Sequence, residues 1–161
     1  MKVREIMTEP PVTCTPETSL AVAARLMRET DYGTLPVVEA DGAVAGIITD
    51  RDICLALAGT HRSALNVAVH EIMTRKVVTA LVEEDVHRAL ATMKQARVRR
   101  LPVMDECGCL KGMLSIEDIV MRALQGRGVN AGELVESLQT MYVRLPVRAE
   151  SSDANDGYTP G

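Results

Sequence analysis

Two short stretches carry the residues best suited to chemistry. Gly46-Ile47-Ile48-Thr49-Asp50-Arg51-Asp52 and Gly112-Met113-Leu114-Ser115-Ile116-Glu117-Asp118 each run from an apolar strand pattern into a hydroxyl residue, and a carboxylate follows three positions later. That spacing places Thr49 or Ser115 at a helix N-cap and Asp52 or Asp118 in its first turn, where the pair can close a capping box. A helix N-terminus also attracts anions, and a carboxylate can accept hydrogen bonds from a polar ligand. A second constellation is Arg97-Val98-Arg99-Arg100, directly before Leu101-Pro102-Val103. Read as a strand, it puts Arg97 and Arg99 on one face and Arg100 on the other. The arginines suit phosphate, which guanidinium binds in bidentate fashion, and they also suit a solvated edge strand. Cys107-Gly108-Cys109 is a single close thiol pair, and His61, His70 and His87 are scattered, so neither a metal site nor a Cys-His nucleophile is expected.

These residues recur because the chain repeats itself. Val3-Arg4-Glu5-Ile6-Met7-Thr8 returns as Val69-His70-Glu71-Ile72-Met73-Thr74, and Leu35-Pro36-Val37 returns as Leu101-Pro102-Val103. Gly42, Gly46, Asp52 and Ile53 return as Gly108, Gly112, Asp118 and Ile119, always 66 positions on and without a gap. Each repeat reads as strand–helix–strand–strand–helix. Short strands surround Thr13 and Thr79. Thr18 or Ser19, and Asp85 in the second copy, start helices with apolar faces at 3.6-residue spacing. Strands near 34–38 and 43–48, and near 100–104 and 109–114, flank turns containing Asp41-Gly42 and Cys107-Gly108. Helices near 50–58 and 116–124 follow, with Gly59 as a stop signal for the first. One unit is too small to hide its own sheet, so two stacked copies are expected to share a continuous core.

The expected class is α+β, with a first repeat over 1–62 and a second over 63–127. An amphipathic helix over 128–145 has no counterpart in the first repeat, and either this module or a partner can seat it. A polar tail over 146–161 is expected to be disordered. The chain has 161 residues, 47% of them hydrophobic but only 2% aromatic, with no Trp or Phe, so aliphatic side chains and Met must build the core. The near-absence of aromatics and a net charge of −4 argue against nucleic acid as a partner, including an arginine-based nucleic-acid site. No apolar run is long enough to span a bilayer, no signal-peptide core stands at the N-terminus, and four unpaired cysteines fit a reducing, cytoplasmic setting.

The doubled Ile-Met-Thr segments, Leu-Pro-Val strands and Gly-x-x-[Ser/Thr]-x-x-Asp turns resemble a tandem pair of CBS (cystathionine-β-synthase-type) domains over residues 3–125. The resemblance implies two β-α-β-β-α repeats related by a pseudo-twofold axis, with inter-repeat clefts for adenosine ligands such as AMP, ADP, ATP or S-adenosylmethionine. It implies a regulatory homodimer that signals to a target protein, not an enzyme, and no required cofactor beyond the regulatory nucleotide. By the family pattern, Asp52 and Asp118 face ribose hydroxyls, and Thr49 and Ser115 face the phosphate. Arg99 and Arg100 match positions that reach phosphates, and Thr13 and Thr79 lie near the base-reading segment. The first repeat has Gly33 and Thr34 where the second has Arg99 and Arg100, so Arg51 is expected to supply its missing charge. Glu117 stands at the Arg51 position of the second repeat, which makes the clefts chemically unequal. The competing expectation is a ligand-independent dimerisation module whose hydroxyl–carboxylate pairs only cap helices.

Overall fold

The computed structural model describes residues 1–59 and 61–142. Ser19 opens α1 (Leu20–Thr30) by accepting a hydrogen bond from the Val22 amide at 3.4 Å. Strands β1 (Thr34–Val38) and β2 (Val44–Thr49) then pair antiparallel, and α2 (Asp50–Ala58) follows directly. The second repeat reproduces this with α3 (Val86–Ala96), β4 (Arg100–Met104), β5 (Leu110–Ser115) and α4 (Ile116–Leu124). Both hairpins shift register at the same place, between Val37 and Val38 and between Val103 and Met104. Their turns contain Gly42 and Gly108 at φ 87° and 79°, a backbone region that glycine enters without steric cost.

The leading strand of each repeat is shorter than its β-rich sequence suggests. In the second repeat it is β3 (Ala80–Leu81), parallel to β4. In the first it shrinks to one parallel bridge between Cys14 and Val37, made by Cys14 N to Pro36 O (3.1 Å) and Val38 N to Cys14 O (2.8 Å). Burial there pushes the Cys14 thiol up to about 11, so it is a packing group at neutral pH.

The buried side chains form two clusters, not the continuous core expected from the sequence. Leu20, Met27, Leu35, Ile48 and Ile53 centre the first, which is completed by Val67, Val69 and Met73 from the start of the second repeat. Leu90, Met93, Leu101, Leu114 and Ile119 centre the second, and Val3 and Ile6 from the chain's N-terminus complete it. The segments that lead into each repeat have therefore crossed over. Thr8 bridges Met113 on β5 through bonds of 2.8 and 3.0 Å, and Thr74 bridges Ile47 on β2 through two bonds of 2.9 Å. The short sheets hide too little surface alone, and the exchange supplies the missing cover to both.

The unmatched amphipathic helix is α5 (Ala131–Tyr142), whose Asn130 side chain accepts from the Glu133 amide at 2.9 Å. It packs on α3 of its own chain, placing Leu134 in the second cluster with Leu138 and Met141 against it. The expectations for 143–161 lie outside the described residues. Among the described residues no helix is long and apolar enough to cross a membrane.

Candidate functional site

Each hydroxyl–carboxylate pair closes the predicted capping box. The Asp52 Oδ2 accepts from Thr49 N (2.9 Å) and Thr49 Oγ1 (2.7 Å), while Asp52 N donates to Thr49 Oγ1 (3.1 Å). The Asp118 Oδ2 accepts from Ser115 N (2.8 Å) and Ser115 Oγ (2.6 Å), and Asp118 N donates to Ser115 Oγ (3.1 Å). All the capping bonds to each carboxylate fall on Oδ2. Among the described residues nothing donates to Oδ1 of either aspartate, so each keeps acceptor capacity for something else.

The crossing of the leading segments sets these caps at the edges of two clefts between the repeats. One cleft, about 320 Å³, is lined by Thr49, Asp52 and Ile47 from the first repeat and by Thr74, Val78, Arg97, Arg99 and Arg100 from the second. The other, about 310 Å³, is lined by Ser115, Asp118 and Met113 from the second repeat and by Thr8, Val12, Asp31 and Tyr32 from the first. Nearly every wall residue has its counterpart 66 positions away, so the pseudo-twofold axis runs between the clefts. Thr34 and Arg100, which begin β1 and β4, line both. Both volumes fall in the range that holds small ligands.

The two clefts differ sharply in charge. Lys76, Arg97, Arg99 and Arg100 accompany Asp52 in the first, whereas Asp31, Glu117 and Asp118 surround the shared Arg100 in the second. Arg100 Nη2 lies 3.8 Å from Glu117 Oε1. Arg99 Nη1 donates to the Tyr142 hydroxyl at 3.2 Å, and its guanidinium sits 5.6 Å from that ring's centroid. The Tyr142 bond, with the nearby Glu117 and Asp50 charges, raises the Arg99 pKa, so the end of α5 steadies a cation at the basic cleft.

The inequality expected from the sequence is present, but its layout is different. Arg99 and Arg100 serve the cleft built on the first repeat's Thr49 and Asp52, because the wall of each cleft comes from the opposite repeat. Arg51 is exposed on the first turn of α2 and lines neither cleft. Arg97 is not a strand residue: it follows α3 in the left-handed conformation at φ 54°, and β4 starts at Arg100. Thr13 and Thr79 also line neither cleft; their neighbours Val12 and Val78 do, and Thr79 faces a separate depression beside Glu83 and Asp85. Lys76 and Asp31 are wall residues that the sequence reading missed. Their signal was the pairing of each Met-Thr segment with the other repeat, which repeat periodicity alone does not reveal.

The CBS domain profile matches residues 3–59 and 69–124. The chain belongs to the CBS domain family. Its CBS pair is 31% identical to that of protein MJ0100, solved in complex with 5′-methylthioadenosine and S-adenosyl-L-methionine, with a TM-score of 0.71 over 79% of this chain and 98% of that one. It is 26% identical to CBSX2, solved with AMP, with a TM-score of 0.67 over 77% of this chain and 96% of that one. The L-aspartate semialdehyde sulfurtransferase of Methanocaldococcus jannaschii is 33% identical over 117 residues, 73% of this chain. The chain spans only 22% of the length of that enzyme. The chain carries two CBS repeats on a mixed α+β frame.

Proposed function

We propose that this CBS pair is a regulatory module whose Thr49–Asp52 cleft binds an adenosine ligand carrying phosphate. One observation carries the reading: four cationic side chains, Lys76, Arg97, Arg99 and Arg100, converge on a cleft whose far wall holds a carboxylate with unused acceptor capacity. The Asp52 Oδ1 takes the ribose hydroxyls, the arginines and the α2 N-terminus take the phosphates, and Val78 and Ile47 offer apolar walls to the base. Ser115 and Asp118 give the second cleft the same ribose grip. The adenosine ligands seen with MJ0100 and CBSX2 support this class of ligand. The module acts in the cytoplasm as a homodimer and reports occupancy to a target protein, through a difference in ligand affinity between two states. Exposed Leu55, Met121 and Leu124 on α2 and α4 support contact with a second copy. It performs no catalysis itself.

Ligand-dependent unfolding tests this. AMP, ADP or ATP at one hundred times its dissociation constant is expected to stabilise the protein by about 2.7 kcal/mol. Asp52→Ala is expected to abolish the response to AMP, and Asp118→Ala to retain it. The full engagement of Oδ2 in both capping boxes favours the second reading, a ligand-independent dimerisation module. No stabilisation by any adenosine compound, with the dimer intact, would establish that reading instead.

A further inference from the structure

We propose that the residue closing the first helix of each repeat, Asp31 after α1 and Arg97 after α3, selects the 5′ substituent of the adenosine its cleft accepts. The inference rests on the adenosine reading of the clefts and assigns the feature that makes them discriminate. Asp31 and Arg97 occupy the same place in the repeat and the same left-handed backbone, at φ 57° and 54°. Their amides turn back to Met27 O and to Lys94 O and Met93 O. The two side chains therefore leave the chain at matched points, each into the cleft made by the other repeat's cap.

Most matched wall residues are alike in size and polarity: Thr8 and Thr74, Val12 and Val78, Met113 and Ile47, Ser115 and Thr49. At 31 and 97 the charge inverts. The surroundings reinforce each sign, since Arg97 stands with Lys76, Arg99 and Arg100, and Asp31 with Glu117 and Asp118. Glycine would suit this backbone best, and Asp tolerates it, but Arg has no local reason to be there. A phosphate entering the Asp31 cleft meets three carboxylates against one guanidinium that Glu117 already engages. The ribose grip is the same in both clefts, so charge at the 5′ end is what distinguishes them. The Asp31 cleft is assigned adenosines whose 5′ group is uncharged or cationic, and the Arg97 cleft those whose 5′ group is anionic.

Three probes share base and ribose and differ only at the 5′ position: adenosine, AMP and 5′-amino-5′-deoxyadenosine. Methyl NMR separates the clefts, because Met113 lines one and Ile47 the other. AMP is expected to perturb Ile47 and the amine to perturb Met113. Asp31→Arg should move the AMP-to-amine preference at the Met113 cleft toward AMP by about tenfold or more at low salt, and Arg97→Asp should do the reverse at the Ile47 cleft. Asp31→Asn, which suits the left-handed backbone, should fall between. A Met113 cleft that prefers AMP, or preferences that ignore both charge reversals while adenosine still binds, overturns this inference alone. If adenosine itself perturbs neither methyl, the adenosine reading falls with it.

Discussion

At the scale of single residues, position within the repeat fixes one job and the surroundings add a second. Glu5 and Glu71 are matched residues, and each accepts a hydrogen bond from the amide three positions before it, Lys2 N at 2.7 Å and Ala68 N at 2.9 Å. Glu71 alone also meets Arg62, whose Nη1 and Nη2 lie 2.6 and 3.1 Å from its oxygens. That pair, with the Ala68 amide, draws the Glu71 carboxyl down to about 2 from an ordinary 4.5. A depressed folded-state value means the stabilisation is present above about 4.5 and disappears as pH falls toward 2. Urea unfolding across that window is expected to show a flatter acid limb for Glu71→Gln than for the parent, and added salt should shrink the difference because the pair is exposed. The same contrast governs what the sequence made legible. Thr49 with Asp52, and Ser115 with Asp118, interact three positions apart, so their spacing announced the capping box. Asp31 and Lys76 line a cleft only because the opposite repeat supplies its other wall, and no local pattern marks them; Arg97 stood out as one of three close arginines, but not as the residue that closes α3.

Elements were legible where the chain punctuates itself. The cap residues placed the starts of α1, α2, α3 and α4, and the strand pairs followed from the hairpin turns. The seat of α5 needed side-chain comparison between repeats. Leu90 and Ile116 are 1% and 2% exposed in the second repeat, yet the matched residues of the first are Ala24 and Asp50, both exposed. The second repeat thus buries a large apolar side chain at each position where the first exposes a small or a charged one, and Leu90 lies on α3, the helix that α5 packs against. Leu134→Ala is expected to lose about 2–5 kcal/mol in equilibrium unfolding. Val135→Ala, on the exposed face of the same helix, should change stability by less than about 0.5 kcal/mol. The exposed pairs His87–Glu133 and Lys94–Glu136 orient α5 and add little to its hold.

For the whole molecule, the crossed leading segments are decisive, and glycine permits the crossing. A Cβ on Gly112 would lie 2.7 Å from the Thr8 carbonyl oxygen, a backbone atom held in the bridge to Met113. On Gly46 the nearest atom, also at 2.7 Å, is Met73 Sδ, which can swing aside, with the Thr74 oxygen at 3.0 Å. Gly112→Ala is therefore expected to cost about 1–3 kcal/mol in thermal or urea unfolding, and Gly46→Ala less. The recurrence of both glycines was plain in the sequence; the atoms that demand them belong to the other repeat and were not. The crossing also changes what counts as half of this protein. Residues 1–8 serve the second core and residues 67–74 the first, so neither repeat taken alone contains all the parts of one folded unit. Each holds a loose end and an unfilled seat of matching shape, which is the bond between two identical subunits. A chain nicked between the repeats is expected to elute as one species in size-exclusion chromatography, because each leading segment is held by the opposite repeat. Here one peptide chain joins the two halves. A single chain lets the two clefts carry opposite charges, which two identical subunits could not.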